Sequence, residues 1–383
     1  MHRQLVIGLL GIGFFVACAG GSTSPVDLGG SSGGESSGGS NGGNNSSSGQ
    51  SSTSSNGGDN SSSSGTSPGG SSSSNGGGNP GGSSTGGTSS SSSSGTSGGS
   101  STSSSSGSTD TGGESPTMLP TVSGTCPTIA PGSSGTSLTF AGEPVDVWTG
   151  SGTGGPLVMF WFETGGSPTD VSFQFGTAQI SAVTAAGGMV ASFAKSTGTG
   201  TDTGDAVWFT GDFTTADQVV ACAIQQLHIN TRRIFTTGAS AGALQATWMS
   251  YARSGYIAAA ATLSGGLTGA GGFYEDPTTM PQDPTNVPSA MAVHGATGVD
   301  VVVLDFAVAS AAWEADIASK HGFSMDCNTG GGHVSGPPQI CPGIWQFFED
   351  HPFKVSPQPY PPIPAVFPSY CVIGPRAADG GTP

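Results

Sequence analysis

The chain has 383 residues, a formal net charge of −16 at pH 7, 8% charged residues and 68 glycines. That acidity argues against nucleic acid and other polyanions as natural partners, and the length allows at least one sizeable core. These averages conceal three segments of different composition.

Residues 1–18 place His2 and Arg3 ahead of an apolar run over 5–17. This is the layout of an export signal, and it is too short to span a bilayer as a mature helix. The run closes in Phe15-Val16-Ala17-Cys18, which resembles a bacterial lipobox with Phe where Leu is usual. The resemblance implies lipidation of Cys18 and anchorage in the cell envelope, at the outer membrane or cell surface. Plain secretion is the alternative.

Residues 19–115 are almost only Ser, Gly, Thr and Asn. Without aromatic residues or apolar periodicity they cannot bury enough surface to offset the entropy of ordering, so a disordered tether is expected. As Gly-rich coil it would span roughly 50–60 Å. The remaining segment, 116–383, is expected to be one catalytic domain. It keeps 19 of the 24 acids and seven of the eight Lys and Arg residues, a net charge of −12. A neutral polymer or a small uncharged ester suits that surface.

Within this domain short apolar runs alternate with helical patterns, as in βαβ units of a mostly parallel sheet. The run 157–162 reads as a strand buried on both faces, followed by a Gly-rich turn over 164–168 and a weak helix to about 186. The next strand is expected over 189–193. Thr214 and Asp217 have the spacing of a helix start, with Val219, Val220, Ala223, Ile224 and Leu227 on one stripe behind them. Strands are then expected at 233–237, 257–263, 290–293 and 323–325. Helices are expected at 243–253, 303–320 and 344–350. Residues 264–289, with Phe273, Tyr274 and several prolines, form a long excursion that either faces substrate or is a plain surface insertion. Trp161 and Trp248 read as core.

Gly238-Ala239-Ser240-Ala241-Gly242 matches G-x-S-x-G, but so do segments around Ser31, Ser36, Ser40 and Ser97. Context separates them, because only Ser240 lies between an expected strand and an expected amphipathic helix. A nucleophile elbow needs that context: a tight, strained turn with small neighbours, which lifts the Ser hydroxyl above the sheet edge. The turn also aims the N–H of Ala241, at the positive helix end, toward a developing oxyanion.

A serine nucleophile needs a general base and an orienting acid, in the chain order Ser, Asp, His for this fold. Downstream lie His294, His321, His333 and His351. His333 is preferred, because its glycine-rich loop over 330–336 leaves the ring free to reach Ser240. His321 suits a helix end, His294 a turn, and His351 the end of the last helix. Asp300 follows an expected strand by a short loop, where the acid belongs. Its competing reading is a helix cap before Val301, and Asp305 is the second choice of acid.

Besides Cys18 there are five cysteines, and none has metal-site spacing. In an exported chain disulfides are favoured. The expected pairs are Cys126 with Cys371, pinning the domain ends, and Cys327 with Cys341, closing the His333 loop. Cys222 remains as a buried thiol.

The strand-turn 157–168, the elbow 238–242, the His-Gly…Asp segment 294–300 and the His333 loop resemble the poly(3-hydroxybutyrate) depolymerase, feruloyl esterase and acetylxylan esterase group. The resemblance implies an α/β-hydrolase three-layer sandwich, cleavage of carboxylic esters on polymers, and no cofactor. Carried over position by position, it implies Ser240, Asp300 and His333 as triad and Ala241 with Thr164 as oxyanion donors. Where the group has His-Gly after the first apolar strand, this chain has Phe162-Glu163, a carboxylate near the developing negative charge. Two other functions remain open: a binding or adhesion protein on a hydrolase scaffold, and an exported serine peptidase.

Overall fold

The computed structural model describes residues 113–268, 276–333 and 339–375. The expected signal, the lipobox Cys18 and nearly all of the expected tether lie outside them. No helix among the described residues is long and apolar enough to cross a membrane.

Eleven strands and five α-helices follow one another along these residues. In order they are β1 (Ser134–Phe140), β2 (Glu143–Thr149), β3 (Leu157–Trp161), α1 (Thr177–Ala185) and β4 (Met189–Phe193). A small hairpin, β5 (Asp202–Gly204) and β6 (Trp208–Phe209), precedes α2 (Asp212–Leu227), β7 (Ile234–Ala239) and α3 (Ala241–Ala252). The chain continues through β8 (Ala259–Leu263), β9 (Ser289–His294), α4 (Phe306–Ser319), β10 (Ser324–Asn328), α5 (Cys341–Asp350) and β11 (Cys371–Ile373).

Nine strands form one sheet in the order β1-β2-β4-β3-β7-β8-β9-β10-β11. The six from β4 to β10 run parallel, and β1, β2 and β11 extend the edges antiparallel. β3, β4, β7, β8 and β9 are buried at every residue. Helices cover both faces, which is why these strands read as unbroken apolar runs rather than alternating ones.

Adjacent residues of β7 identify the two layers, because neighbours on a strand point to opposite faces. Phe235 stacks on Phe348 of α5 at 4.7 Å, whereas Thr236 accepts a hydrogen bond from the Trp161 indole, whose ring meets Phe213 of α2. On the α2 face, Arg253 beyond α3 grips Asp217 of α2, and Tyr251 of α3 donates to Asp316 of α4. Two helical layers around a mostly parallel sheet make this the α/β-hydrolase fold.

Several boundaries and pairings differ from the sequence reading. The β1–β2 hairpin, turning at Ala141 and Gly142 with positive φ, was not anticipated. Helix α2 starts at Asp212, and the Asp217 carboxylate serves Arg253 and Tyr256 instead of capping its own helix.

The cysteines pair as Cys126–Cys222 and Cys327–Cys371, overturning both expected bridges and the free Cys222 thiol. The segment before β1 runs along α2, where Ser123 and Ile129 donate to Gln218 and Gln226, and this brings Cys126 to the helix. Cys371 lies in β11, directly opposite Cys327 of β10. Cys341 instead opens α5, packed against Gly176.

Candidate active site

The chain leaves β3 toward β4 on one side and returns to β7 on the other. Strand order therefore reverses at β3 and β7, and beyond the carboxyl ends of two such strands a parallel sheet leaves a crevice for ligands. Ser240 occupies that point as the single residue between β7 and α3. Its backbone stands at φ 52° and ψ −120°, a conformation that persists for a non-glycine residue only when its surroundings impose it. The bracing is visible, since the Ser240 N–H donates to the Leu263 carbonyl and its own carbonyl accepts from Leu244.

Two glycines make the turn possible. A Cβ on Gly242 would stand 2.0 Å from the Trp161 carbonyl oxygen and 2.6 Å from that of Phe162. One on Gly238 would stand 2.4 Å from the Gly242 carbonyl oxygen. The elbow and the end of β3 are thus in backbone contact, which brings the turn after Phe162 alongside Ser240.

The structure brings Ser240, His333 and Asp300 together. His333 Nε2 lies 2.9 Å from Ser240 Oγ, and Nδ1 lies 2.7 Å from Asp300 Oδ1. Asp300 is fully buried, and its Oδ2 accepts from the Ser264 hydroxyl at 2.8 Å and the Gly295 N–H at 2.9 Å. With Oδ2 occupied, Oδ1 accepts a hydrogen bond from the Nδ1–H of His333, leaving Nε2 to accept from the serine. The Phe306 ring lies against the imidazole, 4.8 Å between centroids.

The other histidines lie elsewhere. His351 is fully buried among Phe323, Phe347 and Tyr360, its Nδ1 donating to the Phe347 carbonyl, and burial pushes its pKa down to about 4. His321 follows α4, its N–H on the Ala318 carbonyl. His294 ends β9 and faces Asp326. The second-choice acid, Asp305, is the N-cap of α4, holding the N–H groups of Ala307 and Val308. The helix starts at Phe306 rather than 303, so Asp300 is not the helix cap.

Of the two expected oxyanion donors, Ala241 is the first residue of α3, with its N–H at the positive helix end. Thr164 lies in the turn closed by the Gly166 N–H on the Glu163 carbonyl. Glu163 does not hang loose over this turn, because Gln174 donates to its carboxylate at 2.5 Å. Burial nevertheless raises its pKa above the ordinary glutamate value, opposed by the Gln174 hydrogen bond and, more weakly, by nearby His333.

Of the excursion, 269–275 with Phe273 and Tyr274 lies outside the described residues. Pro281, Pro284 and Pro288 line a cavity of about 350 Å³ with Ser250, Tyr251 and Lys320. Tyr251 lies ten residues along α3 from Ala241, about 15 Å at the α-helical rise, so this cavity is remote from Ser240.

Sequence reasoning missed Ser264 and Gln174, whose importance depends on which strand end and which helix meet the site. Ser264 stands at a positive φ of 55°, a feature of the fold that its sequence neighbours do not announce. Among the described residues His294, Glu314 and Asp326, all buried, bring one ring nitrogen or carboxylate oxygen each to within 4.8 Å of one another. Here His294 Nε2 is already in a 3.0 Å hydrogen bond to Asp326 Oδ2.

Neither protein-family models nor curated protein sequences match the chain. Solved structures do. The native crystal structure of sOPH is 15% identical over 66% of this chain and 98% of that one, with a TM-score of 0.52. Native pOPH is 13% identical over 67% and 99%, with a TM-score of 0.51, and a complex of pOPH with pNPB gives 13%, 63%, 92% and 0.50. At such identity the likeness establishes the fold.

Proposed function

We propose that the chain is an exported serine hydrolase that cleaves carboxylic esters on an uncharged polymer, using Ser240, His333 and Asp300. The observation that carries this reading is the continuous hydrogen-bonded line from the Ser240 hydroxyl through His333 to a fully buried Asp300.

Ser240 Oγ attacks the ester carbonyl carbon while His333 Nε2 takes its proton, and Asp300 holds Nδ1–H and stabilises the imidazolium. The carbonyl oxygen becomes an oxyanion held by the N–H groups of Ala241 and Thr164. Collapse breaks the bond to the alcohol oxygen, which leaves with the proton from His333. Water, deprotonated by His333, then attacks the acyl-enzyme, and the acid departs as Ser240 recovers its proton. These steps require no cofactor.

The polymer part of the reading is supported by surface character. Val299, Val301, Val302, Val303 and Val308 are all exposed and flank Asp300 in the chain, and the domain's net charge of −12 disfavours anionic substrates. A lipid on Cys18 and the 19–115 tether would let the domain reach an insoluble ester from the cell envelope. Poly(3-hydroxyalkanoate), feruloyl and acetyl esters are the substrates to compare.

Two experiments test this. A fluorophosphonate probe should label the wild-type protein on Ser240 and leave Ser240→Ala unlabelled; a folded wild type that takes no label would favour a binding protein. Turnover of esters should exceed that of peptide anilides carrying the same acyl group, and the reverse ranking would make it a peptidase. For the anchor, Cys18→Ser should abolish incorporation of labelled fatty acid.

A further inference from the structure

His294 lies between two hydrogen-bond acceptors. Its Nδ1 is 2.7 Å from the Gly295 carbonyl oxygen and its Nε2 is 3.0 Å from Asp326 Oδ2. A carbonyl has no proton to give and an ionised carboxylate has none either, while a neutral imidazole carries a single N–H. With Asp326 ionised, both contacts are hydrogen bonds only when the ring carries two protons. The His294 and Asp326 side chains are 4% and 3% exposed, and Glu314, fully buried on α4, brings a second carboxyl oxygen into the same group. A cation in such a dry place is retained only where carboxylates compensate it.

We propose that His294 is a buried imidazolium and a positioning residue for the acid and base of the active site. This rests on the triad reading above. The backbone around the ring carries both partners. The Gly295 N–H donates to Asp300 Oδ2, the Ala296 N–H to the Gly331 carbonyl, and the His294 carbonyl accepts from Thr329. A Cβ on Gly295 would stand 2.2 Å from the Gly331 oxygen and 2.5 Å from that of Gly332. The turn leading to Asp300 and the loop leading to His333 are therefore joined directly beyond His294. The ring fixes the Gly295 peptide through its carbonyl, and the N–H on the far side of that residue points at Asp300.

Among the described residues the titratable groups facing the ring are Asp326 from β10, Glu314 from α4 and Asp300 from its own loop. Burial lowers the His294 pKa, but the Asp326 hydrogen bond and charge, with lesser help from the Gly295 carbonyl and Asp300, raise it above the ordinary value. When the ring finally loses a proton, one of its two hydrogen bonds must go. Activity then falls on the alkaline side.

The test uses the full-length protein and two readouts. Nitrogen-15 NMR of histidine-labelled wild type should show both His294 ring nitrogens protonated at pH 7, assigned by the signal missing from His294→Gln. A neutral ring there would overturn the proposal whether or not the protein hydrolyses esters. In ester assays His294→Gln should lower kcat about 10–100-fold with KM within about twofold, the signature of lost transition-state alignment. Its alkaline limb should disappear. Asp326→Asn should instead keep the limb and move it down by about one pH unit, through loss of the carboxylate that favours the charged ring. A wild-type pH profile in a folded His294→Gln or Asp326→Asn protein would refute the role.

Discussion

Gly242 and Trp161 are in backbone contact: a single carbon added to the glycine would sit 2.0 Å from the Trp161 carbonyl oxygen. Neither backbone has a flexible end that can move aside, since Trp161 closes a central strand and Gly242 lies in the first turn of α3. Gly242→Ala is expected to destabilise the protein by about 2–4 kcal/mol, in the range of overpacked cores and forced backbone. Because the displaced segment leads to the Glu163–Thr164 turn, kcat should fall further than stability explains. Urea unfolding and ester kinetics on the same preparation check both.

Removal of the proposed catalytic groups should separate activity from stability. Ser240→Ala and His333→Ala are expected to lower kcat by about 10⁴–10⁶, and Asp300→Asn by about 10³–10⁴ through loss of the productive tautomer. The double variant Ser240→Ala/His333→Ala should be no worse than either single one. Additive losses in steady-state kinetics would show that the two residues do not act as a unit.

Glu163 makes a prediction of opposite sign. Its raised pKa means that burial disfavours the charged form, and the stability it provides is present at low pH and lost as pH rises through the folded value. Glu163→Gln is therefore expected to be more stable than wild type at pH 8 in thermal unfolding. Removing a negative charge beside the proposed Thr164 donor should also raise kcat severalfold. A slower, less stable variant would mean that the Gln174 hydrogen bond to the carboxylate outweighs both effects.

His351 should govern acid sensitivity. Its ring is buried neutral with a pKa lowered to about 4 from an ordinary 6.5, so its contribution is complete above about pH 6.5 and is lost as pH falls toward 4. A shift of that size corresponds to about 3 kcal/mol. Denaturant midpoints at pH 7.5 and 4.5 should converge in His351→Gln relative to wild type. An unchanged pH dependence would place the acid lability elsewhere.

The exposed valines around Asp300 provide a test of the polymer reading. Replacing Val299, Val302 and Val308 by Ser should leave turnover of a small soluble ester within about twofold, because each is roughly half exposed. Release of acid from an insoluble polyester film should drop about tenfold or more through loss of apolar contact. Equal effects on both substrates would remove the surface from the argument.

Much of this architecture was legible in the order of residues. Strands β3, β4, β7, β8 and β9 announce themselves because burial on both faces demands unbroken apolar runs. The β1–β2 hairpin was overlooked although the burial of Val145, Val147 and Thr149 alternates along β2, since edge strands carry a weaker and shorter pattern. Asp305 falls inside the helix expected from 303 but caps one that starts at Phe306, a boundary that local composition encodes poorly.

What the sequence by itself determined is local: a serine flanked by glycines between a strand and a helix, a glycine-rich stretch around one histidine, and an acid just beyond a strand. These follow from steric and hydrogen-bonding rules that act over a few residues. Only the tertiary structure decided that Ser264 supports Asp300, that Gln174 restrains Glu163, that His294 meets Asp326 and that Cys126 joins Cys222. Such pairings depend on which strands lie side by side, and strand order is settled by packing of the whole core rather than by any segment of it.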